Sequence, residues 1–250
     1  MIESSRLVFI GGLHRSGTTL LGRLLAEHPD ASGFGGTGVP ADEGQHLQSV
    51  YPPAKHFGGP GRFAFSAGAH LTEDADITTP ESAERLIESW APYWDVSRSR
   101  LIEKSPPNLI RFRFLQALFP DAALIAVVRH PVAVSYATRK WSRTSIPSLL
   151  EHWGTAQACF DDDADGLRCV KQVRYEDLVA NRDATLRSLW DFVGLPPHSV
   201  TTKVEGGANE RYFEMWADDR RRVWRRRGLD RASRRIAERA SKCGYEFGDI

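Results

Sequence analysis

A short apolar run, Leu7-Val8-Phe9-Ile10, is followed by Gly11-Gly12-Leu13-His14-Arg15-Ser16-Gly17-Thr18-Thr19 and then by Leu20, Leu21, Leu24 and Leu25. The run predicts a buried strand over 7–11 and the leucine spacing a helix over 18–28, stopped at Pro29. Between them, Gly12 and Gly17 give the G-x-x-x-x-G spacing of a phosphate loop. Such a corner aims backbone N–H groups and a helix N-terminus at an anion. Thr18 stands where ATPases and GTPases place the lysine that reaches a γ-phosphate. Arg15 offers a cation from inside the loop instead. A nucleotide with a phosphate at this corner and no triphosphate tail fits better than ATP.

The rest of the chain alternates strand and helix patterns. Strands are predicted over 100–104, 123–128 and 169–173, with helices over 81–94, 107–119, 131–141, 149–160 and 185–193 and a short one within 41–51. Ala123–Val128 is continuously apolar, as a strand covered on both faces should be. This alternation argues for a three-layer α/β/α fold around a central parallel sheet, with ligands at the carboxyl ends of the strands. The 250 residues suffice for one domain over 1–250. Its expected parts are a Gly/Pro-rich loop segment at 33–68 covering the substrate and a helical C-terminal part at 180–250.

A net charge of +1 gives no general pull toward nucleic acid or acidic membranes, so neither partner is expected. Three cysteines without a C-x-x-C pair signal neither zinc nor a disulfide framework. A reducing, cytoplasmic setting is the simplest reading. Six residues precede the first strand, which leaves no room for a signal peptide ahead of it. No apolar stretch approaches the ~20 residues of a membrane helix.

Arg15-Ser16-Gly17-Thr18-Thr19-Leu20-Leu21 resembles the 5′-phosphosulfate loop, (K/R)-S-G-T-T-x-L, of sulfotransferases that use 3′-phosphoadenosine 5′-phosphosulfate (PAPS). Three later segments continue the resemblance in family order, most closely to the bacterial and Golgi tyrosylprotein- and heparan-type branch. Ala126-Val127-Val128-Arg129-His130-Pro131 is similar to the strand whose arginine holds the 3′-phosphate. The arginine's planar fork suits paired phosphate oxygens. The family's partner serine falls eight residues later, at Ala137 here; Ser135 and Thr138 flank it, and helical phase favours Thr138. Val173-Arg174-Tyr175-Glu176-Asp177-Leu178 resembles the Y-E-D-L stretch whose tyrosine touches adenosine. Ile102-Glu103-Lys104-Ser105-Pro106 resembles the (D/E)-K-(S/T)-P turn whose lysine faces the transferring sulfuryl group.

The resemblance implies sulfuryl transfer from PAPS to a hydroxyl or amine, with PAP as product, in a bacterial enzyme of secondary metabolism. His14, Arg15, Ser16, Gly17, Thr18, Thr19, Arg129, Ser135 or Thr138, and Tyr175 would hold the donor. Arg15, Thr18 and Lys104 would neutralise charge on the leaving phosphate without a metal. An acceptor hydroxyl wants a general base. The tyrosylprotein-type glutamate aligns near Gly36, where no base exists. Glu43 is the first candidate, His46 the second and His70 the third; Asp42 lies beside them. Asp161–Gly166 imitates the opening of a calcium loop, but Gln172 at its twelfth position makes it a solvated acidic turn. The run Arg220–Arg227 reads as a solvated helix face balanced by acidic neighbours. Its alternative role is to close over the 3′-phosphate or an anionic acceptor. The acceptor itself (small metabolite, glycan or tyrosyl side chain) and the oligomeric state are not legible. Two other functions remain open at this stage: a P-loop nucleotide or small-molecule kinase, and a non-catalytic nucleotide-binding module.

Overall fold

The structure, a computed structural model, describes residues 2–204 and 206–248. Five strands form one parallel sheet: β1 (Leu7–Gly12), β2 (Ala31–Gly33), β3 (Arg100–Lys104), β4 (Ala123–Val128) and β5 (Val170–Arg174), in the order β2-β3-β1-β4-β5. Nine α-helices accompany it among the described residues: α1 (Thr18–Ala26), α2 (Pro80–Trp90), α3 (Phe112–Leu118), α4 (Pro131–Ser142), α5 (Ile146–Ala164), α6 (Tyr175–Ala180), α7 (Arg182–Phe192), α8 (Glu210–Arg221) and α9 (Val223–Lys242).

Strand pleating divides the core in two. Leu7 and Phe9 of β1, with Leu124, Ala126 and Val128 of β4, face a core shared with α2, α3, α4, α5, α8 and α9. Val8 and Ile10, with Ala123, Ile125 and Val127, face a smaller core shared with α1 and α7. Both central strands are buried along their whole length, which is why they read as unbroken apolar runs. The expected three-layer α/β/α architecture is therefore the observed one.

Several boundaries differ from expectation for local reasons. The helix expected over 107–119 is two pieces, a 3₁₀ turn (Pro106–Ile110) and α3. The break at Arg111 turns its buried guanidinium toward the carbonyls of Ala69 and Pro52. The helix expected within 41–51 is a pair of 3₁₀ turns, Pro40–Asp42 and Gly44–His46. Tertiary bonds hold these turns: the Trp90 indole donates to Gly44 O, and Gln45 N donates to Ser105 Oγ. Gly44 is obligatory, because a Cβ there would lie 2.4 Å from Glu103 Oε1. Edge strand β2 escaped the sequence reading because three residues, Ala-Ser-Gly, carry no period. The acidic run at 161–166 is not a solvated turn. It falls largely in the last turns of α5, where buried Asp163 meets His70 at 2.8 Å and Arg113 at 3.6 Å. No cluster of three metal-ligating side chains occurs among the described residues.

Candidate active site

The carboxyl ends of β1, β3, β4 and β5 converge, and each delivers one of the expected groups. After β1 the chain turns through Leu13–Gly17 into α1. Arg15 adopts φ 73° and Gly17 φ 105°. Only glycine fits at 17, since a Cβ would stand 2.6 Å from the Tyr175 ring. Helix α1 has no side-chain cap, so its first N–H groups are left for a ligand. The Ser16 hydroxyl is 1% exposed and has no hydrogen-bond partner among the described residues. An orphaned hydroxyl beside uncapped amides fits a phosphate oxygen. His14 is held neutral: burial, Lys104 and His46 depress its pKa to about 3.

From β3 comes Lys104, buried, with Nζ 2.8 Å from Ala41 O and 3.5 Å from Glu43 Oε1. Glu43 is also buried and accepts from Gln45 Nε2, while His46 Nε2 lies 3.8 Å from its Oε2. Burial raises the Glu43 carboxyl and lowers the Lys104 ammonium, each opposed by the charge of the other. Asp42 differs. It accepts from Thr37 N and Oγ1 at 2.8 and 2.7 Å, and Thr37 holds its carboxyl below the usual range, making it a weak base.

Glu103 lies beneath this group, wholly buried, accepting from Ser105 Oγ at 2.6 Å and from Asn108 Nδ2. Burial pushes its carboxyl up to about 7 from a free value of 4.5. Between these values the folded chain holds a proton that the unfolded chain releases. Its contribution to stability is therefore full below 4.5 and is lost as pH rises through about 7. Urea unfolding of wild type and Glu103→Gln at pH 5 and pH 8 should show this. Wild type is expected to lose on the order of 2–3 kcal/mol more than the variant across the interval. Equal slopes would contradict the assignment.

From β4 comes Arg129, 6% exposed, which stacks 4.1 Å over Tyr175 at the end of β5. Its Nη1 donates to Arg15 O at 2.9 Å; Nε and Nη2 donate to Asn209 Oδ1 at 2.9 and 2.7 Å. Thr138 Oγ1 donates to His14 O at 3.3 Å. Ser135 is fully buried, and its hydroxyl has no partner among the described residues.

A cavity of about 360 Å³ is lined by some of these residues. Its lining includes His14, Arg15, Thr18 and Thr19, Glu43 and His46, and Thr138 and Trp141. Ser16, Gly17, Lys104, Arg129, Ser135, Tyr175 and His70 do not line it; Lys104 lines a neighbouring cavity with Thr19, Ala41 and Asp42, and His70 pairs with Asp163. Three neighbours were missed from sequence. Asn209 and Tyr212 reach Arg129 from about 80 residues away, and exposed Trp141 receives the Arg15 guanidinium at 5.8 Å. No local spacing signals the first two. Trp141 reads as one more apolar helix position. The Arg220–Arg227 run is not one helix face: it spans the end of α8 and the start of α9, broken at Arg222, and Arg220, Arg221, Arg225 and Arg226 pair with Asp218, Asp230 and buried Asp219.

The sulfotransferase family model matches residues 8–199. The chain belongs to the sulfotransferase family. Among relatives, nodulation protein NoeE of Sinorhizobium fredii is 25% identical over 91% of this chain and 58% of its own length. Protein-tyrosine sulfotransferase A of Caenorhabditis elegans is 25% identical over 78% of this chain and 51% of its own. The chain thus spans about half the length of these relatives. Two solved structures share the fold. The sulfotransferase domain of the Synechococcus PCC 7002 olefin synthase has TM-score 0.54 at 21% identity, covering 85% of this chain and 89% of that one. The sulfotransferase domain of the curacin biosynthetic pathway has TM-score 0.54 at 21% identity, covering 96% and 97%. No helix among the described residues is long and apolar enough to cross a membrane.

Proposed function

We propose that the chain transfers the sulfuryl group of PAPS to a hydroxyl or amine held in the 360 Å³ cavity, releasing PAP. One observation carries this reading: a buried carboxyl and a phosphate-type loop line a single cavity, with a buried lysine 3.5 Å from that carboxyl. A loop with threonine in place of the P-loop lysine speaks against a kinase. The paired Glu43–Lys104 speaks against a mere binding module.

The loop amides, the α1 N-terminus and Ser16 hold the phosphosulfate, and Thr18 and Thr19 flank it. Arg129 takes the 3′-phosphate through the prongs that now grip Asn209, with Thr138 preferred to Ser135 as the hydroxyl partner; Tyr175 supports the adenosine. Glu43 accepts the acceptor's proton as its oxygen bonds to sulfur and the bond from sulfur to the phosphate oxygen breaks. His46 is the second candidate for that role. Arg15 and Lys104 stabilise the charge that gathers on the transferring and leaving oxygens. No step calls on a metal. A cytoplasmic setting fits the three free thiols.

The acceptor remains a small molecule, a glycan or a tyrosyl side chain. Radiolabelled PAPS with a panel of phenols, alcohols, amines and tyrosyl peptides tests the reading. Acceptor-dependent PAP release is expected. PAP binding without turnover across the panel would favour a non-catalytic module.

A further inference from the structure

A second cleft, of about 720 Å³, runs between α4 and α8. Its walls carry Arg139, Lys140 and Arg143 from α4 and its end, and Arg211 from α8; its floor includes Ala137 and Tyr212. Among the described residues no acidic side chain lines it. Some arginines elsewhere are ion-paired, as in Arg113–Glu73, Arg221–Asp218 and Arg235–Glu151. Here Lys140, Arg143 and Arg211 have no carboxylate within ion-pair distance among the described residues, and only Arg139 shares one, Asp219 at 3.9 Å. Arg211 donates to the Tyr212 hydroxyl instead. Cations converging on a concave site without counter-charges attract an anion, and guanidinium forks favour phosphate- or sulfate-like oxygens.

The position says what carries that anion. Neither the phosphate-type loop nor Arg129 lines this cleft; Tyr212 lies between Arg129 and the cleft, 5.8 Å from the guanidinium. On α4, Thr138 and Trp141 line the transfer cavity while Ala137 and Lys140 line the cleft. Consecutive helical residues are turned about 100° apart, so the two spaces flank the same turn. We propose that the cleft is a subsite for a sulfate- or phosphate-like group on the acceptor, bound while the acceptor's nucleophile sits in the transfer cavity. This rests on the functional reading above. It makes the acceptor an anionic molecule, one already bearing a sulfate or phosphate ester.

Calorimetry with phenyl sulfate as the probe, on protein saturated with PAP, tests it. Phenyl sulfate is expected to bind and to weaken as salt is raised, whereas phenol should not show that dependence. Arg143→Gln/Arg211→Gln, checked for an unchanged melting curve, should lose about tenfold in phenyl sulfate affinity and keep PAP affinity within about twofold. Equal phenyl sulfate binding by wild type and variant, or none by either, would overturn the subsite. So would a parallel loss of PAP affinity, which would make the cleft part of the donor site. If wild type binds no PAP at all, the functional reading fails, while the titration without PAP still reports on the cleft.

Discussion

Arg15→Ala should lower kcat/KM for PAPS by about 10²–10⁴-fold, with the larger share in kcat, because the charge it answers grows only as the sulfuryl group leaves. Arg15 is the cation the loop offers where nucleotide triphosphatases use lysine. It is exposed, lines the transfer cavity and rests against Trp141 at 5.8 Å. The left-handed turn at φ 73° belongs to its backbone, and alanine keeps that backbone free to form the Arg15 O contact with Arg129. The fold should therefore survive, and PAP affinity should fall less than turnover. Steady-state kinetics beside calorimetry separates the two effects. A variant with normal kcat and weakened PAP binding would reduce Arg15 to a binding residue.

Glu43→Gln should cost about 10²–10⁴-fold in kcat and abolish the acidic limb of the pH–rate profile. Burial raises the Glu43 carboxyl, so wild-type kcat/KM should fall as pH drops through a value above the free 4.5, as the base becomes protonated. Lys104 limits the rise, because its ammonium 3.5 Å away favours the carboxylate. The amide preserves volume and can still meet Gln45, so loss of activity with an unchanged melting curve isolates the proton transfer. His46→Gln serves as the contrast. If that variant loses the acidic limb while Glu43→Gln keeps it, the base is His46.

Much of this site was legible because each group sits at a strand's carboxyl end, where local sequence shows it. Arg129 follows a six-residue apolar strand, Lys104 closes β3, and the glycine pair brackets the loop. Contacts across the chain were not legible. Asn209 occupies the Arg129 fork from the segment before α8, and Glu176 orients it by accepting from its Nδ2 at 2.8 Å. Nothing in the spacing of either residue announces the other. Sequence ranks Glu43 first, but the physical difference between it and Asp42 lies in tertiary contacts. Two adjacent carboxylates differ only because one is tied by Thr37 and the other is buried against Lys104. The helix expected over 107–119 breaks at Arg111, because periodicity ignores the buried partners that bend the chain there.

What the corner between β1 and α1 binds decides the function. Calorimetry of the wild-type chain with PAP, and separately with ATP and magnesium, tests that directly. Saturable one-to-one binding of PAP, lost in Arg129→Ala, with no heat from ATP–magnesium at the same concentrations, is the expected result. ATP–magnesium binding with none for PAP would contradict it.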